Sequence, residues 1–147
     1  MNDAAVLIHV NLPMYATGRE HPYRESCVWV LSEITKGNLE GVIDTEIIQE
    51  VLYRYGALGR WETGSSMASS LLDLFSTVLP VTRDDMELAL ALFSEYGPQG
   101  IRARDVLHAA VMEANGIVQI ISADRHYDRL PNIRRIDPQE LYRSRSG

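Results

Sequence analysis

Five short runs rich in β-branched and aliphatic residues punctuate this chain: Ala5–His9, Gly41–Ile43, Thr77–Val81, Val118–Ser122 and Ile133–Ile136. Between them lie longer segments with helical periodicity. His21–Lys36 sets Cys27, Val28, Leu31 and Ile34 on one side and stops at Lys36-Gly37-Asn38, and Thr45–Tyr55 gathers Ile47, Ile48, Val51, Leu52 and Tyr55 on one face. Trp61–Ser76 and Asp84–Tyr96 follow; the second opens with Thr82-x-x-Asp85, a capping-box variant, and closes at Gly97-Pro98. Arg102–Asn115 ends at Gly116, where a left-handed cap is expected. Strands that alternate with helices predict a three-layer α/β/α sandwich with a central, mainly parallel sheet. The 147 residues read as one domain, 1–147, long enough to bury about 70% of the unfolded surface.

Composition narrows the class further. The hydrophobic share of 46% and charged share of 23% are those of an ordinary soluble protein. No apolar stretch approaches the roughly 18 residues of a membrane span, and the N-terminus lacks the flanks of a secretory signal. Cys27 is the single cysteine, which excludes an internal disulfide and a cysteine zinc cluster, so the expected compartment is the reducing cytoplasm. The net charge of −6 is uneven: residues 1–101 carry 6 basic and 14 acidic side chains, residues 102–147 carry 8 and 6. Apart from Lys36 every basic side chain is arginine, whose fork suits phosphate or carboxylate; a compositional bias of the source genome explains this equally well. An acidic chain that binds nucleic acid must do so through a local basic rim or a metal.

In such a fold the site lies beyond the carboxyl ends of the strands. That rule selects His9 to Asn11, Asp44 to Glu50, and Ser122 to Asp128, with the helix beginning near Asp105 feeding the fourth strand. Each acid has an ordinary explanation. Glu46 and Glu50 could form a solvated edge, Asp105 could complement a helix dipole, and Asp124 could cap the short turn over 125–130. Together they describe a cluster that would repel itself without a cation. Mg²⁺ or Mn²⁺ takes oxygen ligands, and Mg²⁺ so held can activate water and stabilise an attacked phosphodiester. His108, three residues after Asp105, could be a second ligand but reads better as a structural hydrogen-bonding histidine. His21 and His126 read as loop residues. No HExxH spacing occurs, and Gly64-Ser65-Ser66 lacks the lysine and preceding strand of a phosphate loop. Asn11 fits either a contact to a metal water or phosphate, or a helix cap. Arg102, Arg104, Arg125 and Arg129 flank the acids and could steer a phosphate backbone or simply pair with carboxylates.

The stretch Ile101–Pro138 resembles the C-terminal half of PIN-domain ribonucleases, especially VapC-type toxins of toxin–antitoxin modules. The matching pieces are Arg104-Asp105-Val106-Leu107-His108-Ala109, Ser122-Ala123-Asp124, Tyr127-Asp128 and Leu130-Pro131-Asn132-Ile133. "VIDTEIIQEVLYRY" is similar to the family's second acidic segment with Glu50 at the acidic position, and "VLIHVNLPMYA" to its opening strand and loop. The resemblance implies a PIN-like fold and RNA cleavage by metal-activated water. It implies Glu50, Asp105 and Asp124 as catalytic metal ligands for Mg²⁺ or Mn²⁺, with Asp128 and Asn11 auxiliary. It further implies RNA contacts by the four arginines, an antitoxin partner, and a homodimer built partly on the Trp61–Phe75 region. One departure stands out: the family's first strand ends in an aspartate ligand, and here that position is His9, while Asp3 precedes the strand. Imidazole favours Mn²⁺, Zn²⁺ or Ni²⁺ over Mg²⁺. The alternative reading is therefore a weakened or inactive PIN-like module that binds RNA or a protein partner.

Overall fold

The computed structural model describes residues 5–146, so Asp3 lies outside the described residues. Five strands form one sheet in the order β3-β2-β1-β4-β5: β1 (Ala5–Ile8), β2 (Glu40–Asp44), β3 (Val78–Leu79), β4 (Gln119–Ile121) and β5 (Arg134–Ile136). Every pairing is parallel, with Leu7 opposite Val42 on one side and Ile120 on the other. The chain runs outward from β1 through β2 to β3, then crosses back to place β4 against the free side of β1. The crevice at that reversal, outside the carboxyl ends of β1 and β4, is where open α/β sheets hold ligands.

Side-chain alternation along the strands builds the two cores. Val6, Ile8, Ile43 and Ile121 pack with Cys27 and Val30 of α2 (Arg24–Thr35), Ile47, Val51 and Tyr55 of α3 (Thr45–Ala57), and Ala68 and Leu71 of α4 (Trp61–Leu74). Leu7, Val42 and Ile120 face the other way, onto Ala109 and Met112 of α6 (Ala103–Ala114), against which α5 (Arg83–Tyr96) lies. The three predicted layers are therefore present, and the predicted strands fall within one or two residues of the observed ones. Thr82 and Asp85 form the expected reciprocal cap of α5. Gly37 and Gly116 take positive φ after α2 and α6. Among the described residues no helix is long and apolar enough to cross a membrane.

Two helices were not expected. α1 (Asn11–Thr17) begins directly after the first strand, with Pro13 tolerated in its first turn. α7 (Pro138–Ser146) closes the chain against α2. Its start is signalled by Asp137-Pro138-Gln139-Glu140: Asp137 Oδ1 accepts from the Gln139 amide at 2.8 Å, and proline occupies the first helical position.

The crossing of α3 and α4 depends on Gly64, where an added Cβ would stand 2.8 Å from the Cβ of Tyr55. Gly64→Val is expected to cost about 1–3 kcal/mol through overpacking. Gly56→Ala, where nothing lies within 4 Å, should leave stability unchanged or raise it by up to about 1 kcal/mol. Urea unfolding of both variants checks the contrast.

Candidate metal centre and active site

Leu7 points to the α6 face, and the same alternation carries His9 there; its amide extends the ladder by donating to the Ile121 carbonyl at 3.1 Å. Val42 and Asp44 obey the same parity on β2. α6 delivers His108 between them, fully buried, with a carboxylate on each ring nitrogen. Nδ1 lies 2.7 Å from Asp44 Oδ2 and Nε2 lies 2.6 Å from Glu50 Oε1. Asp44 serves twice, because its Oδ1 accepts from the Ile47 amide at 3.0 Å and so caps α3, the helix that carries Glu50. Burial alone would lower the pKa of His108, but Asp44 and Glu50 outweigh it and push it up to about 10. The ring is an imidazolium at neutral pH, the counter-charge of buried Asp44 and, with Arg104, of buried Glu50.

His9 is also buried, but its chemistry is opposite. Its Nδ1 lies 2.9 Å from Ser122 Oγ, and that oxygen accepts from the Asp124 amide at 2.9 Å and from Asn11 Nδ2 at 3.4 Å, leaving the hydroxyl proton for the imidazole. Its Nε2 has no partner. Burial, followed by the charge on His108 and then that on Arg54, holds its pKa well below the ordinary 6.5, so this imidazole is neutral. The two histidine rings meet edge to face at 5.8 Å, and Tyr127 stands edge-on to His9 at 5.2 Å.

Tyr127 is a site residue that the sequence reading took only as the aromatic before Asp128. It is fully buried, and its hydroxyl has no partner. Burial, then the charges of Asp105, Glu50, Asp124 and Asp44, raise its pKa well above 10. Asp44 was passed over for the same reason. Each has an unremarkable local role, and only the tertiary register brings them together.

The remaining sequence-predicted residues divide. Glu50 is buried, with Oε2 in an ion pair at 3.3 Å from Arg104 Nε but without a hydrogen bond. Asp105 is buried and accepts from the Arg102 amide at 3.1 Å, capping α6. Asp124 caps the 3₁₀ turn Arg125–Arg129 through the His126 amide at 2.9 Å and lies 3.9 Å from Arg102 Nη2. Asp128 turns away to a two-point pair with Arg135, at 2.9 and 3.2 Å. Arg129 donates to the Gln99 carbonyl and Arg125 is exposed. Arg102 and Arg104, with Arg54, Glu46, Gln49, Glu50 and Tyr53, line an open cleft of about 520 Å³ beside the buried acids. Burial raises the pKa of Glu46 on its wall. His108 makes its bonds with Asp44 and Glu50 rather than with Asp105.

The donor set suits a divalent cation. One ligand atom each from His9, Glu50 and His108 lies within 4.8 Å of the others, and both His9 Nε2 and Glu50 Oε2 are buried without hydrogen-bond partners.

Stability should report the two histidines with opposite signs. His108, with a raised pKa, contributes fully below about pH 6.5 and progressively less as pH rises toward 10; His9, with a lowered pKa, costs stability below about pH 6.5. In chelator, urea unfolding should show stability falling by up to about 1.4 kcal/mol per pH unit from pH 7 to 8.5. Toward the upper end of that window the buried Cys27 thiol, pushed up to about 12, adds a slope of the same sign, so the His108 contribution is read below about pH 8. His108→Gln should be less stable and lose the slope.

Residues 6–133 match the family model of the PIN domain. The chain is 34% identical over 131 residues to ribonuclease VapC13 of Mycobacterium tuberculosis, covering 89% of this chain and 98% of that protein. Its backbone is similar to VapBC2 from Rickettsia felis bound to a promoter DNA fragment, with a TM-score of 0.69 at 19% identity over 90% of this chain and 97% of that one. It is also similar to Mycobacterium tuberculosis VapC20, a sarcin–ricin loop cleaving toxin, with a TM-score of 0.71 at 12% identity over 86% and 95% of the two chains. With the model matched across most of its length and a relative at this identity, the chain belongs to the PIN-domain family, among its VapC ribonucleases.

Proposed function

We propose that the protein is a metal-dependent endoribonuclease, the toxin of a toxin–antitoxin pair. The observation that carries this reading is the contact between a buried acidic pocket and an open, arginine-lined cleft, made through Glu50, which belongs to both. Arg54, Arg102 and Arg104 supply phosphate contacts, and Tyr53, exposed beside them, offers a ring on which a base can stack. Glu50 and His9 each keep a ligand atom without a hydrogen bond, and the negative charge of Asp105 and Asp124 is felt at Tyr127. Mg²⁺ or Mn²⁺ bound there would polarise the scissile phosphate and activate water. Tyr127 keeps its proton, and its hydroxyl is a hydrogen-bond donor still without a partner in the pocket. Ser122 fixes the His9 ring, and Asp44 fixes that of His108.

Relatives solved as toxin–antitoxin complexes support a cognate antitoxin as partner. Exposed Leu58, Trp61 and Leu72 on and beside α4 supply an apolar surface for a homodimer.

A second reading is favoured by one observation. His108 already neutralises Asp44 and Glu50, and His9 adds no charge, so metal affinity is lower than in an all-carboxylate pocket, and the protein would be a silent RNA- or protein-binding module. Incubation of labelled RNA with Mg²⁺ or Mn²⁺ separates the two. The enzyme reading expects cleavage by the parent that is lost in Asp105→Asn; cleavage appearing only in His9→Asp contradicts it in favour of the module. In anisotropy titrations with single-stranded RNA, Arg54→Ala should weaken binding and flatten the salt dependence by about 0.7 in log–log slope.

A further inference from the structure

His9, Glu50 and His108 do more than leave room for a cation: they specify which kind. Both imidazoles have Nδ1 anchored by a neighbour, His9 on Ser122 Oγ at 2.9 Å and His108 on Asp44 Oδ2 at 2.7 Å. The ring faces are thereby fixed, and His9 Nε2 is left without a partner in a pocket that holds Glu50 and His108. A carboxylate behind a ligating histidine is the usual outer support of a transition-metal site, because it sets the ring orientation and raises the donor strength of the opposite nitrogen. Glu50 contributes one oxygen that makes no hydrogen bond and lies 3.3 Å from Arg104 Nε, and all three residues are more than nine-tenths buried. Neutral nitrogen donors suit borderline first-row ions, whereas Mg²⁺ demands oxygen and holds its water tightly.

We propose that His9, Glu50 and His108 form a two-histidine, one-carboxylate site for a borderline transition ion of the Zn²⁺, Co²⁺ and Ni²⁺ class, with Asp44 as its outer carboxylate. The inference rests on the metal-dependent reading above and gives it a specific ion class and ligand set. His108 Nε2 and Glu50 Oε1 stand 2.6 Å apart, so an ion held by both residues would replace the hydrogen bond now made between them. Mg²⁺ ranks last at this site and Mn²⁺ lies between.

The test is calorimetric titration of metal-stripped protein with Zn²⁺, Co²⁺ and Mg²⁺, with the visible spectrum of the Co²⁺ form recorded alongside. The expected result is one site that takes Zn²⁺ and Co²⁺ more tightly than Mg²⁺ by on the order of 100-fold or more. Co²⁺ bands should show nitrogen ligation, and His9→Ala should lower Co²⁺ affinity at least about tenfold. His9→Asp should shift the ranking toward Mg²⁺. A double variant, His21→Ala with His126→Ala, removes the two histidines outside the pocket and should leave the site intact. Co²⁺-induced shifts of the His9 and His108 ring resonances in the parent protein supply the same answer if a variant fails to fold. Equal affinity for Mg²⁺ and Co²⁺, a Co²⁺ spectrum unchanged by His9→Ala, or loss of the site in the double variant overturns the proposal. RNA cleavage is scored separately. Tight Co²⁺ binding without cleavage under any metal sinks the nuclease reading and leaves the site standing; cleavage in Mg²⁺ with no transition-ion preference does the reverse.

Discussion

The imidazolium of His108, held between Asp44 and Glu50, is the interaction on which the rest of this site depends. Two carboxylates buried at the carboxyl end of a parallel sheet are costly unless a positive group lies between them. His108 supplies it from a third element, α6, and joins β2, α3 and α6 at one point. Asp44 extends the connection by capping α3 with its second oxygen. Loss of His108 therefore leaves Asp44 without a cation and Glu50 with Arg104 alone. Burial holds His9 neutral, and the charge of His108, 5.8 Å away, adds to that effect.

Topology explains why these residues meet. β1 is the central strand with neighbours on both sides, and the chain reverses direction across the sheet between β1 and β4. Residues just past the ends of β1, β2 and β4 are thereby brought to one crevice. His9, Asp44 and Ser122 are the first polar groups beyond, or at the close of, buried aliphatic runs. The arginine-lined cleft lies where α3 and the start of α6 come side by side, so that Arg54, Arg102 and Arg104 surround the exit from the pocket while Glu50 forms its floor. An overall acidic chain thus carries a local basic rim at one place, which is the arrangement a phosphate backbone needs.

Much of this was legible in the sequence. The strands were found to within one or two residues because parallel strands are short aliphatic runs with clear polar stops, while α5 carries a legible capping box and α6 a glycine end. Short α1 has no room for a periodic pattern, and its Pro13 reads as a breaker. α7 is polar but opens with a legible Asp-Pro-x-Glu start. Glu50, His9, Arg102 and Arg104 were identifiable as candidates from their position after strands and beside acids. The pairing of His108 with Asp44 was not, because 64 residues separate the two and each looks complete in its own segment, one as a buried helical residue and the other as a helix cap. Tyr127 was hidden in the same way: nothing in "DRHYD" shows that its hydroxyl is buried without a partner and its ring set against His9.

The most direct test of the account is the position of a bound ion. Crystals of the metal-stripped protein soaked in Co²⁺ and measured at the cobalt edge should show one strong anomalous peak bounded by His9 Nε2, Glu50 and His108, with the His108–Glu50 hydrogen bond replaced by contacts to the ion. A peak seated instead on Asp105 and Asp124, with the His108–Glu50 bond intact and His9 Nε2 still unpartnered, would contradict it.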